Sequence, residues 1–247
     1  MMTITWRKWK VYIILTFLVL LTFPLLYWSR PPSVPAFANE EDEPRALLRV
    51  NTQEPHLALT FNVEWGEDII TETLETLDDY EISATFFVSG EWAERHPNLL
   101  EAIHEKNHEL GILGYKGHRF SSMENYEIQE SLKNTIKVFE KLDFAAPAYL
   151  YPPKGAFNAE VLKIADGENL NTVYGSIHPP LGTGSAMAEH ILFHADNGDI
   201  IHLNATDESK GLPKALNIAV PVLKEQGYEF HTISSLASGM DIEIKKP

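Results

Sequence analysis

Among the zinc-binding residue types of this 247-residue chain, three single themselves out: Glu64, His118 and His202. Each lies in or just beyond a short apolar run of strand length. A buried strand that breaks into polar residues sets them at the mouth of an α/β fold, where such proteins keep their sites. Two histidines and a carboxylate with an open position suit a metal that activates water. The metal lowers the pKa of that water from about 15.7 to about 7, worth roughly 12 kcal/mol of easier hydroxide formation. The spacing of the three residues matches no ligand pattern, and ten histidines make chance proximity easy. His118 therefore reads first as a loop or surface histidine, and His202 as a hydrogen-bonded core histidine.

The stretch that organises the chain is His56-Leu-Ala-Leu-Thr-Phe-Asn-Val-Glu-Trp-Gly66. With Thr85-Phe86-Phe87-Val88, His108-Glu109-Leu110-Gly111 and Pro152-Pro153-Lys154-Gly155, it resembles the polysaccharide deacetylase (NodB homology) family. Trp65-Gly66 and Trp92-Ala-Glu-Arg-His-Pro97 resemble its sporulation-associated branch. The resemblance covers roughly residues 56–236. It implies a distorted (β/α) barrel and metal-dependent N-deacetylation of glycans such as peptidoglycan. It also shows which parts are replaced. Asn62 stands where the family has its general base, and an amide cannot accept a proton at neutral pH. Val63, Leu113 and Gly117 stand where the family has its metal ligands, with His118 one residue out of frame. Tyr151 replaces the arginine that orients the base, and Asn204 falls on the general-acid position. Base and orienter are lost together, so no catalytic residue and no metal are expected; zinc enters only if Glu64, His118 and His202 form a substitute site. Trp65, Tyr115 and Tyr151 are candidates to stack on sugar rings, or to plug the vacated pocket.

The elements that must position these residues alternate regularly. Strands are predicted over 56–61, 83–88, 109–113, 148–151, 171–175, 199–203 and 229–233. Helical spacing separates them: Ile69 to Leu77, Leu99 to Ile103, Ile128 to Phe139, Val161 to Ala165, residues 186–195 more weakly, and Leu212 to Leu223 with Gly227 as a C-cap. About seven parallel strands alternating with helices define an α/β class, open or closed; the resemblance implies closure.

The absence of cysteine excludes disulfides, thiolate metal sites and cysteine nucleophiles. Residues 1–38 carry four basic and no acidic residues, leaving 16 basic against 35 acidic in the remainder. Nucleic acid repels so acidic a domain. Val11 to Trp28 is uncharged and apolar, about 27 Å long as a helix, near the thickness of a bilayer core. Arg7, Lys8 and Lys10 precede it, which predicts a cytoplasmic N-terminus and an exported domain. The expected organisation is a transmembrane signal anchor over 1–30, a Pro-rich acidic linker over 31–55 and the deacetylase-like domain over 56–240. Cleavage after Ala38 is the alternative, and would secrete the domain. The expected partners are cell-wall glycan or an envelope protein, and the membrane. Three functions follow: an inactive relative that binds glycan or regulates envelope enzymes, an active deacetylase with a nonstandard site, or an anchored interaction scaffold.

Overall fold

The computed structural model describes residues 44–238 and 241–245. The transmembrane helix expected over 1–30 and most of the expected linker lie outside the described residues. No helix among the described residues is long and apolar enough to cross a membrane.

Along β2 (His56–Val63), Leu57, Leu59, Phe61 and Val63 pack into the hydrophobic core beneath the helices, while Thr60 and Asn62 turn to the other face. This two-residue alternation is the pleat itself. Helix α1 (Asp68–Asp79) buries Ile69, Ile70, Thr73, Leu74 and Leu77 against that core. The same arrangement repeats through β3 (Thr85–Val88), α2 (Gly90–Arg95), α3 (Pro97–Glu105), β4 (Glu109–Ile112), α4 (Asn125–Lys141) and β5 (Tyr149–Leu150). It continues through α5 (Ala159–Gly167), β6 (Asn171–Val173), α6 (Gly184–His194), β7 (Ile200–Asn204), α7 (Leu212–Glu225) and β8 (Glu229–His231). Gly227 takes the left-handed conformation (φ 92°) expected past a helix end. Residues 233–237, expected in part as strand, form helix α8 (Ile233–Ala237), capped by the Thr232 hydroxyl.

All seven predicted strands are present, and they are parallel, in the order β7-β2-β3-β4-β5-β6, with β8 also beside β2. Two more join them. β1 (Ala46–Asn51) lies parallel to β6, and β9 (Asp241–Lys245) antiparallel to β1. The linker expected over 31–55 thus gives way to strand at Ala46, whose neighbours Leu47 and Val50 are fully buried. Its burial does not alternate, which hid it from a period-of-two reading. β1 also helps curl the sheet into the barrel the resemblance implies. Val50 N donates to Gly198 O at 2.9 Å just before β7. Nearer the other end, Ile177 bridges Ile201 in parallel and closes the gap between β6 and β7.

His108 is buried under β3, where its Nδ1 accepts the Ala84 N–H at 3.2 Å. Burial, then the Lys106 ammonium, pushes its pKa down to about 4, with Asp78 opposing. The unfolded chain takes up this proton near pH 6.5 and the native state does not. Stability should therefore fall as pH drops from about 6.5 to about 4, by about 2–3 kcal/mol from this residue. Urea unfolding across that range should show a shallower pH slope for His108→Gln than for the unsubstituted chain.

Candidate functional site

The C-terminal ends of β2 and β7 lie side by side, with Thr60 opposite His202 and Asn62 opposite Asn204. These four side chains share the face turned away from the helix core, because both strands alternate in step. Above them, the ends of β2 and β7 and the segments after β2, β5, β6 and β7 line an open cavity of about 350 Å³. Asn62, Glu64, Trp65, Tyr151, Lys154, His178, His202 and Asn204 are among its lining residues.

Asn62 sits at the cavity floor with 3% exposure, and its Oδ1 is buried without a hydrogen-bond donor. His202 nearby is also buried. Its Nδ1 is 3.1 Å from the Thr60 hydroxyl, and the Tyr151 ring lies flat on it at 3.8 Å and 5°. Burial, and then His178, hold His202 well below the ordinary histidine range, so it is neutral at pH 7. Burial also pushes the Tyr151 hydroxyl well above its usual pKa, with Tyr174 adding to the shift. His202 is thus the hydrogen-bonded core histidine of the first reading, and it forms one face of the cavity. Tyr151 is 4% exposed with that face covered, so it plugs the cavity rather than offering a stacking platform. Trp65, at 43% exposure, stands on the rim.

The three places where the resemblance expects metal ligands offer none. Val63 faces the helix core, and Leu113 is fully buried. At Gly117, a Cβ would meet Glu64 Oε2 at 2.4 Å. The Glu64 carboxylate therefore fills the space into which a side chain at 117 would project. Lys154 Nζ, in turn, stands 2.6 Å from that same oxygen. An ammonium 4 Å from a divalent ion repels it by about 8 kcal/mol at an effective dielectric of 20. The residues at the mouth do not fit the family's metal. Lys154 was legible as part of Pro152-Pro153-Lys154-Gly155, but its pairing with Glu64 across 90 residues was not.

Two candidates lie elsewhere. After β4 the chain turns at Gly114 (φ 87°), packed on Phe120 and Ser131, and passes Glu64 at Gly117. Tyr115, expected in a glycan groove, points instead to α2, where its hydroxyl donates to Glu94 at 2.8 Å. His118 is exposed in a shallow groove beside Tyr115 and α4 and does not line the cavity that Glu64 and His202 share. The substitute zinc site of Glu64, His118 and His202 is not assembled.

The sequence pattern of the polysaccharide deacetylase family matches residues 49–173, and the chain belongs to that family. The uncharacterized protein YlxY of Bacillus subtilis (strain 168) is 26% identical over 215 residues, 86% of this chain and 66% of YlxY. A peptidoglycan-N-acetylglucosamine deacetylase of Bacillus cereus is 29% identical over 206 residues, 80% of this chain and 96% of that protein. A CE4 family pseudoenzyme from Bacillus anthracis superposes with a TM-score of 0.75 at 25% identity, over 83% of this chain and 73% of the other. A mutant of that pseudoenzyme, described as having restored enzymatic activity, superposes with a TM-score of 0.74.

Proposed function

We propose that the protein binds N-acetylated cell-wall glycan and leaves it intact, as a membrane-anchored, extracytoplasmic member of the family. The observation that carries this reading is Asn62. Where the family has a carboxylate base, this chain has an amide that lines the cavity and whose Oδ1 is buried without a donor. Turned toward the cavity, that oxygen accepts an acetamido N–H, and the Asn62 amide N–H donates to the acetamido carbonyl in return. The cavity falls within the size range of small-ligand sites, and the exposed ring of Trp65 suits the apolar face of a sugar. The names of the relatives support peptidoglycan as the glycan. Residues 1–30 support the anchor and the outward orientation, and the resemblance of Trp65-Gly66 and Trp92 to Pro97 supports a role in sporulation. No metal is expected at the mouth, because Lys154 supplies the positive charge there.

The test is calorimetric titration with an N-acetylglucosamine oligosaccharide and its fully deacetylated counterpart, with acetate release followed in parallel. The N-acetylated form should bind at least about tenfold more tightly, since an unpaired buried amide costs about 1–3 kcal/mol. Asn62→Leu should abolish that preference, and no acetate should appear. Acetate release would overturn the reading in favour of an enzyme. Equal or absent binding of both glycans would leave the barrel as an interaction scaffold.

A further inference from the structure

At the N-terminal end of the barrel, about 20 Å along β2 from Asn62, lies a second group of ligand-type side chains. β2 and β8 pair in parallel with His56 opposite Glu229 and Ala58 opposite His231. Residues 229 and 231 share a face of β8, so the register brings both beside His56. His56 Nε2 is 3.9 Å from Glu229 Oε2, and His231 Nε2 is 3.8 Å from the same oxygen. The two imidazole rings meet edge to face at 4.4 Å. One ligand atom from each of the three residues lies within 4.8 Å of the others.

Three further facts distinguish this group from an ordinary surface ion pair. His231 Nε2 is buried and has no hydrogen-bond partner. Its other ring nitrogen, Nδ1, is 3.3 Å from the Ser235 hydroxyl at the start of α8. An outer contact of this kind orients a metal-bound imidazole. Tetrahedral zinc with bonds near 2.0–2.1 Å holds its ligand atoms about 3.3 Å apart, so each gap to Glu229 needs to close by only about 0.5 Å. Glu229 is 72% exposed along its side chain and is free to make that adjustment.

We propose that His56, Glu229 and His231 bind a divalent transition metal, zinc by ligand preference, which clamps β8 and α8 to β2. Two imidazoles and one carboxylate match the borderline character of zinc, and exclude magnesium and calcium, which take oxygen ligands. The clamp acts where the sheet is least supported. β8 is three residues long and lies off the main strand path, with β2 as its partner among the described residues. The site shares no residue with the cavity at the mouth, so it stands whether or not the protein binds glycan.

The experiment uses the untagged full-length chain, stripped with chelator and titrated with cobalt(II) and then zinc(II). One cobalt per chain should bind, with the visible absorption of a four- or five-coordinate ion, and zinc should displace it. Zinc should also raise the thermal unfolding midpoint. His231→Ala and His56→Ala should each weaken cobalt binding at least about 100-fold, and Ser235→Ala about tenfold through loss of orientation. Glu229→Gln changes an exposed position and will fold; it should weaken binding at least about tenfold. His118→Ala, exposed and outside both sites, should change nothing in the titration. Failure of the unsubstituted chain to bind cobalt or zinc overturns the proposal. So does binding that survives Glu229→Gln unchanged, or that disappears with His118→Ala.

Discussion

Asn62→Asp is expected to destabilise the protein and not to create a deacetylase. The substitution restores the family's base in name, and the surroundings decide what it does. The residue is 3% exposed, and the oxygen already present has no donor. A carboxylate there adds a charge to a place that leaves even one neutral oxygen unpaired. His202 is held neutral by burial and offers no charge in return. Burial raises a carboxyl pKa by up to about 3–5 units, at 1.36 kcal/mol per unit. A loss of about 2–4 kcal/mol at pH 7 follows after partial relaxation toward the cavity. The sign can be tested by titration. A raised folded pKa leaves the penalty absent below the unfolded value of about 3.9, and lets it grow as pH rises to the folded pKa. The difference between the two chains in urea unfolding should therefore widen from pH 4 to pH 7. Turnover should stay at the buffer rate, because Val63, Leu113 and Gly117 still offer no ligand and Lys154 still occupies the position beside Glu64. Without the metal, the roughly 12 kcal/mol it supplies toward hydroxide is missing. Acetate release by the single variant would show that a base alone suffices, and would sink the account of the mouth given above.

Gly198→Ala should cost about 3 kcal/mol or more, since a Cβ at Gly198 makes the closest approach among the described glycines. Gly198 has φ 79°, a region that L side chains enter at a cost of about 1–2 kcal/mol. A Cβ there would stand 1.8 Å from Val50 O and 2.8 Å from Val50 C, both backbone atoms that cannot swing aside. Relief requires β1 to move, and overpacking of this kind adds about 1–3 kcal/mol. The same residue holds three strands together. Its N–H donates to His56 O at 2.7 Å, and its carbonyl accepts from Val50 N at 2.9 Å. Moving β1 breaks the second bond and opens the barrel between β1 and β7. Chemical denaturation of Gly198→Ala against the unsubstituted chain measures the effect. A loss below about 1 kcal/mol would mean that β1 is not needed to close the barrel.

The chain's own residues determined the alternation of strands and helices, since apolar spacing is local and survives without tertiary information. The seven parallel strands, the helix patterns between them and the capping glycine at 227 were all legible this way. Also legible were the residue types, Asn62, Val63, Leu113, Gly117 and Asn204, at the positions that the resemblance assigns to base, ligands and general acid. What the tertiary structure decided was which side chains meet. β1 shows no period of two, because neighbouring strands and loops, rather than one open face, set its burial. The turn at Gly114 leaves Tyr115 and His118 outside the cavity lining although Gly117 between them abuts Glu64, and no spacing rule encodes that turn. Lys154 reaches Glu64 across 90 residues, turning a vacated ligand position into an ion pair. The register of β2 on β8 brings His56 to Glu229 and His231 in the same way. Contacts of this kind depend on strand order and pleat phase together, and those exist only once the sheet has closed.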